Sequence, residues 1–478
     1  MYSRQAILWS DRESDFPRYL RVMTSHVHPE TSGSESALNS PVEIFSAEWI
    51  LTVDQNDTVL TESAIAVQAG VIIAVGPLVD LLRAHPGAAH QHFAQSVLMP
   101  GMVNAHTHLG MTMFRGLADD RNLQQFLDLV MPAEAAVLRE QSVLVATAAA
   151  ALESVHAGVT TALDMYYFPD VVVAACDRVG MRVMTGPTFL GSVGPEGRGG
   201  SAQMEWTEQW LASNPARPGW RPVVAPHSTY LVSPDDLQLI AELAQRHDAT
   251  IHIHAAESQG ELDSVLAQHG RRPVELLDHL GLLGPRTVLA HAVHLSDDEL
   301  ARVAATQTSV AHCPGSNLKL ASGFARVPEM LAAGVAVGLG TDGPASSNDL
   351  DLFAVMRLAG LIHKGVTGDA TVLPAAQVVR AATLGGATAV GLSESIGSLE
   401  VGKQADFICV DLSRVHTQPV YDPNSALVYA AGRDDVRHVW VAGQEVLRDG
   451  VATRVDEAEV TAGLNQLRAE VLAAVAGS

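Results

Sequence analysis

Between residues 99 and 395, short apolar runs alternate with longer stretches of helical periodicity. Eight of the runs read as buried strands, each closing on polar or glycine-containing text. They end at His106-Thr107-His108, Ala162-Leu163-Asp164, Val183-Met184-Thr185 and Ala225-Pro226-His227. The remaining four end at His252-Ile253-His254, Leu289-Ala290-His291, Val310-Ala311-His312 and Gly338-Leu339-Gly340-Thr341-Asp342. Between them lie helical patterns such as Ala133 to His156, stopped by Gly158, and Ser233 to His247, which opens on Ser233-Pro234-Asp235-Asp236. Strand and helix in this alternation predict an α/β fold, a (β/α)8 TIM-like barrel of parallel strands. Such a barrel carries its active site at the strands' C-terminal ends, which is where the polar residues fall.

The flanks have a different texture. From Val42 to Gly76 the runs are short and of β type, among them Ile44-Phe45, Ala64 to Val67 and Val71 to Val75, with turn residues between. Similar text returns at Asp406 to Val410 and Val436 to Val441. Both chain ends are therefore expected to join in one small β-sandwich. The expected division is an N-terminal extension at 1–40, sandwich at 41–98, metallohydrolase barrel at 99–395, sandwich again at 396–455, and a C-terminal helix at 456–478.

Composition narrows the function classes. With 478 residues, 47% of them hydrophobic, the chain can bury a large core. A formal charge of −23 argues against nucleic acid or an anionic membrane as partner, since both select basic patches. The three cysteines, Cys176, Cys313 and Cys409, are far apart and odd in number, so neither a disulfide framework nor a cysteine zinc site is expected. No apolar run reaches membrane-spanning length, and a cytoplasmic location is expected.

His106 and His108 alternate on one strand and so share a face. An HxH pair alone is weak evidence; what strengthens it is that most of the other strand ends also carry His or Asp. Gathered at one barrel mouth, such groups need partners, and a shared divalent cation satisfies several at once. His106, His108, His254 and Asp342 make an N3O set suited to Zn2+ or Fe2+. Glu257 follows His254 by three residues, and Asp342 sits in a turn between Gly340 and Gly343.

With these segments in place, the chain resembles the amidohydrolase superfamily. More narrowly, it is similar to the branch of adenosine, methylthioadenosine and S-adenosylhomocysteine deaminases, close to the chlorohydrolase-like enzymes. The resemblance rests on Pro100 to His108, Arg115 to Asp120, Pro132-Ala133-Glu134, Pro226-His227-Ser228, His254 to Glu257, Cys313 to Leu320 and Gly340 to Gly343. It implies hydrolytic release of ammonia from an aminopurine nucleoside. Asp342 would take a proton from water, His291 would hydrogen-bond the attacking oxygen, and Glu257 would protonate the ring nitrogen. Glu134 and His227 would contact the sugar. For Glu134 a second reading is equally open: an acidic residue in the first turn of helix Ala133 to His156, complementing its dipole. Dinuclear members of the superfamily bridge their metals through a carbamylated lysine on an early strand. The first lysine here is Lys319, so one metal per chain is expected, Zn2+ first and Fe2+ second. Two departures concern the pocket: Met131 stands where the branch usually has Trp, and Thr229 where it often has Pro.

Other residues draw plainer expectations. His252 is a partner behind the ligands, His294 and His312 are structural or wall residues, and Cys313 lacks an activating base. Gly194 to Gly200 has no P-loop lysine and reads as a flexible loop after the third strand, carrying Arg198. Two rival functions remain: deamination or dechlorination of another heteroaromatic ring (guanine, pterin or s-triazine type), and a non-catalytic metal-binding scaffold. In every enzymatic reading the partner is a small molecule, and a homo-oligomer is compatible.

Overall fold

A computed structural model describes residues 40–477. The expected N-terminal extension, Ser40 aside, lies outside them. Chain entry forms β1 (Val42–Leu51), β2 (Val59–Leu60), β3 (Ser63–Gln68), β4 (Val71–Pro77) and β5 (Ala89–Pro100). The barrel strands follow: β6 (Met102–Thr107), β7 (Val159–Asp164), β8 (Arg182–Met184), β9 (Thr188–Phe189) and β10 (Val223–Pro226). Next come β11 (Thr250–Ala255), β12 (Thr287–His291), β13 (Ser309–His312) and β14 (Val337–Leu339). The chain then returns to the first sheet with β15 (Phe407–Asp411), β16 (Val436–Val441), β17 (Gln444–Arg448) and β18 (Val451–Ala452).

Strands from both chain ends do form one sheet, in the order β18-β17-β16-β15-β5-β1-β3-β4, with β2 beside β1. Its aromatic core stacks Phe407 on Trp440 at 4.3 Å, with Phe45 5.0 Å from Phe407. β5 is the hinge of the architecture. Its first half is exposed and its last five residues are buried, pairing antiparallel with β15 as far as Pro100 opposite Phe407. After a single residue, Gly101, the chain continues as β6. A Cβ on Gly101 would lie 2.2 Å from the Thr160 side chain, so only glycine fits this joint.

The barrel strands pair in parallel as β6-β7-β8 and as β9 through β14. The third barrel strand, expected to end at Thr185, is instead split. β8 pairs with β7, the chain kinks at Gly186-Pro187, and β9 carries on to pair with β10. A Cβ at Gly186 would come within 1.8 Å of the Val223 carbonyl, and Pro187 has no N–H to give the ladder. Between first and last strands the seam is stitched by Asn104 Nδ2 to Thr341 Oγ1 at 2.7 Å, Thr341 N to Asn104 Oδ1 at 3.1 Å and Asp342 N to the His106 carbonyl at 3.1 Å.

The helix expected over Ala133 to His156 is two helices, Leu123–Val137 and Glu140–His156, meeting at 120°. Ser142 closes the bend by accepting from Arg139 N at 3.0 Å. Helix Pro234–Arg246 begins where expected, with Ser233 Oγ accepting from Asp236 N at 3.1 Å. The last helix, Glu457–Gly477, buries Leu467 and Val471 against Phe126 and Val130. Among the described residues, no single helix is long and apolar enough to cross a membrane.

Candidate metal centre and active site

The ligand atoms of His106, His108, His254 and Asp342 lie within 4.8 Å of one another at the C-terminal ends of β6, β11 and β14. All four residues are at least nine-tenths buried. Hydrogen bonds on the far side of the rings decide what they present. His108 Nδ1–H donates to the Met165 carbonyl at 2.6 Å, and His254 Nδ1–H to the His227 carbonyl at 2.8 Å. With the rings neutral, both Nε2 atoms carry lone pairs, yet they face each other at 3.2 Å. Asp342 Oδ1 is 3.2 Å from His108 Nε2 and 3.3 Å from His106 Nε2. His106 Nε2 is buried with no hydrogen-bond partner, while its Nδ1 meets His252 Nε2 at 2.8 Å.

Electron-rich atoms packed this closely repel unless positive charge sits among them. Burial opposes a charge on His108, but the Asp342 carboxylate outweighs it and lifts that ring to about 9. Burial holds His106 down to about 3 and His254 well below the usual imidazole range, leaving both neutral as ligands must be. Asp342 stays ionised: burial works against this, and the two histidines facing it prevail. Three of the donor separations, 3.2 to 3.3 Å, match the ~3.3 Å edge of a tetrahedron with bonds of about 2.0–2.1 Å. The donor set fits a divalent cation of the zinc type.

The backbone is committed to this arrangement. Asp342 holds φ at +60°, and its carboxylate is fixed by Gly343 N at 2.7 Å and Ser346 Oγ at 2.7 Å. His291 and Ala292 also sit in the left-handed region, at +72° and +46°, unusual strain for residues with side chains. The His291 ring stacks on His254 with centroids 5.4 Å apart and lies outside the four-residue group.

Glu257 is buried just beyond β11, and burial raises its carboxyl above the usual range; His291 opposes the shift and Asp342 adds to it. Its backbone N–H donates to Glu261 Oε2 at 2.8 Å, and Thr229 Oγ1 donates to Glu261 Oε1 at 3.0 Å. Glu261 thus ties the loop bearing Glu257 to the loop bearing His227. It was missed in the sequence, although Ser258-Gln259-Gly260-Glu261 has the spacing of a helix-capping motif. His227 lies against His254, ring centroids 4.6 Å apart, and its Nδ1 is buried without a partner.

Glu134 belongs to the last turn of Leu123–Val137, because the helix breaks after it. A carboxylate there opposes the dipole, so the dipole-complementing reading is corrected. Its Oε1 accepts from Tyr166 Oη at 2.7 Å, and burial pushes it up to about 7 against that bond. Tyr166 is another partner that nothing in the sequence pattern marked. His252 does stand behind His106, and burial pushes the Cys313 thiol well up, out of nucleophilic range. Arg198 lines a cleft with Tyr167, Phe189 and Val232, paired to Glu196 at 2.7 Å and lying 3.8 Å over Trp206.

Comparison with known proteins agrees with this geometry. A profile described as the amidohydrolase family matches residues 97–446. The 5-methylthioadenosine/S-adenosylhomocysteine deaminase of Syntrophobacter fumaroxidans is 41% identical over 401 residues, covering 84% of this chain and 91% of that protein. Among solved structures, an adenosine deaminase from Xanthomonas campestris with bound zinc superposes with a TM-score of 0.88 at 38% identity, covering 91% of this chain and 99% of that one. An atrazine chlorohydrolase from Arthrobacter aurescens complexed with zinc, at 23% identity and a TM-score of 0.83 over 89% of this chain and 99% of its own, shares the fold. Strand order, buried ligand cluster and relatives of this identity and coverage lead to one conclusion: the chain belongs to the amidohydrolase family.

Proposed function

We propose that this chain is a mononuclear metal-dependent deaminase of an aminopurine nucleoside, of the adenosine, 5'-methylthioadenosine or S-adenosylhomocysteine type. The observation that carries the reading is the convergence of three imidazoles and a carboxylate on one buried point, beside a buried carboxyl at Glu257. The substrate class is supported by the names of the relatives at about 40% identity. Zinc is the first choice of metal and iron(II) the second, one ion per chain, held by His106, His108, His254 and Asp342.

The chemistry such an ion supplies is acidification of water, from a pKa of roughly 15.7 to about 7. Asp342 takes the proton as the water oxygen attacks the carbon bearing the amino group. His291 holds that oxygen in line through a hydrogen bond. Glu257, whose carboxyl burial raises above its ordinary range, gives its proton to the neighbouring ring nitrogen, and Asp342 passes the water proton to the amino group, which leaves as ammonia. Glu134 and His227 bind the sugar, the first as acceptor of hydroxyl hydrogens.

The test follows ammonia release by purified protein on adenosine, 5'-methylthioadenosine, S-adenosylhomocysteine, guanine, a pterin and an s-triazine, with metal analysis alongside. Nucleoside activity with one ion per chain is the expected result. Activity on free bases or triazines alone would overturn the substrate class. Two stoichiometric ions would overturn the mononuclear site, and a loaded, inert protein would overturn the enzyme.

A further inference from the structure

The segment Cys313 to Leu320 carries part of the family resemblance but has no part in the reaction as drawn above. Its short helix, Pro314–Lys319, follows β13 and places Asn317 in the interior, 1% exposed. Asn317 Oδ1 reaches back to β12 and meets His291 Nδ1 at 2.8 Å. An amide oxygen can only accept, so the proton of the neutral ring is on Nδ1 and the lone pair is on Nε2.

Several features show that the contact is held firmly. The helix is pinned by Lys319 Nζ, which donates to Asp119 Oδ1 at 2.6 Å and to the Ala345 carbonyl at 3.2 Å. Asn317 itself is tied through N to the Cys313 carbonyl at 3.0 Å and through O to Ser322 N at 2.8 Å. Its Nδ2 is buried with no hydrogen-bond partner, an arrangement that native interiors avoid unless the group has another use. The His291 backbone is in the left-handed region, so the side-chain bond to Asn317 is what fixes the ring's rotation about an already committed main chain.

We propose that Asn317 is a positioning residue for His291: its amide oxygen fixes the tautomer in which Nε2 accepts a hydrogen bond from the attacking water. Asp342 takes one proton of that water, and the other O–H points at His291 Nε2, which aims the oxygen's remaining lone pair at the carbon. The direction of this bond is opposite to that of an imidazole donating to the oxygen. The inference rests on the deaminase reading, and a spectroscopic arm separates the two.

Protein labelled with 15N-histidine is compared as wild type, Asn317→Leu and Asn317→Asp, with kcat, KM and metal content measured on each. In the wild type, the His291 ring is expected to carry its slowly exchanging proton on Nδ1. In Asn317→Leu that signal is lost, kcat falls about 10–100-fold, KM stays within about twofold, and metal content is unchanged. Asn317→Asp keeps an acceptor oxygen and restores kcat to within about fivefold of wild type. If the leucine variant does not fold, Asn317→Ala replaces it under the same expectations. A His291 ring protonated on Nε2, or a leucine variant with wild-type kcat, would overturn the proposal. A wild type with the expected tautomer but no nucleoside activity overturns the deaminase reading and leaves the assignment of the tautomer standing.

Discussion

Two of the chain's His-x-His motifs lie on consecutive strands, His90-Gln91-His92 on β5 and His106-Thr107-His108 at the end of β6, with different outcomes. His90 and His92 are exposed, their rings 6.5 Å apart, and both bond the same Ser46 hydroxyl, at 2.8 and 2.9 Å. His106 and His108 are buried, and their inner nitrogens meet His254 Nε2 and Asp342 Oδ1 at 3.2 to 3.3 Å. Alternation puts two imidazoles on one side of a strand in either case. A metal centre also needs burial, far-side acceptors that fix the tautomers, and further donors arriving from other strands.

That contrast can be tested by removing groups one at a time. The largest effect is expected from His108→Ala: metal content falls to a small fraction and kcat by about 10³-fold or more, above the 10–100-fold typical of outer partners. Retained metal and turnover would put the ligand set in error. Next is Glu257→Gln, which keeps the metal, since the residue lies outside the four-donor group, but loses about 10²–10⁴-fold in kcat. Near-normal turnover in that variant would remove Glu257 as proton donor.

A smaller effect concerns Glu134 and carries a pH signature. Burial raises this carboxyl to about 7, so it is mostly protonated at pH 6 and mostly ionised at pH 8. An ionised acceptor binds sugar hydroxyls better, so KM is expected to fall as pH rises through about 7. Glu134→Gln should raise KM about tenfold and abolish that dependence, and an unchanged profile would count against sugar contact. The smallest effect is expected from the double variant His90→Ala, His92→Ala. Metal content and kcat should match wild type, and stability should stay within about 1 kcal/mol, summing two exposed sites. Loss of metal there would erase the distinction between the two motifs.

Much of this was legible in the sequence because barrel strands are apolar throughout and end abruptly in His or Asp. Seven of the eight strand ends, the residues of the four-donor cluster and the start of helix Pro234–Arg246 could be read directly; the split third strand could not. The break between Val137 and Glu140 could not be. It lacks glycine, and Arg139 stands where a Ser or Asp cap would have announced a new helix. The exposed half of β5 was equally silent, since Ala89 to Gln95 offers no apolar run and owes its form to parallel pairing with β1. Tyr166, Glu261 and Asn317, the partners of Glu134, Glu257 and His291, depend on approach across the fold, which spacing along the chain does not encode.

The single-residue joint at Gly101 has a mechanical consequence. The strand bearing His106 and His108 is the continuation of a rod whose other half is clamped between β1 and β15, and Arg182 on β8 grips Asp406 at the start of β15. The distal sheet therefore acts as an anchor for the first two imidazoles and cannot be trimmed away as a passive appendage. A protein shortened to end before Phe407 would leave that rod held on one side only, and the metal site would slacken although none of its ligands had been touched.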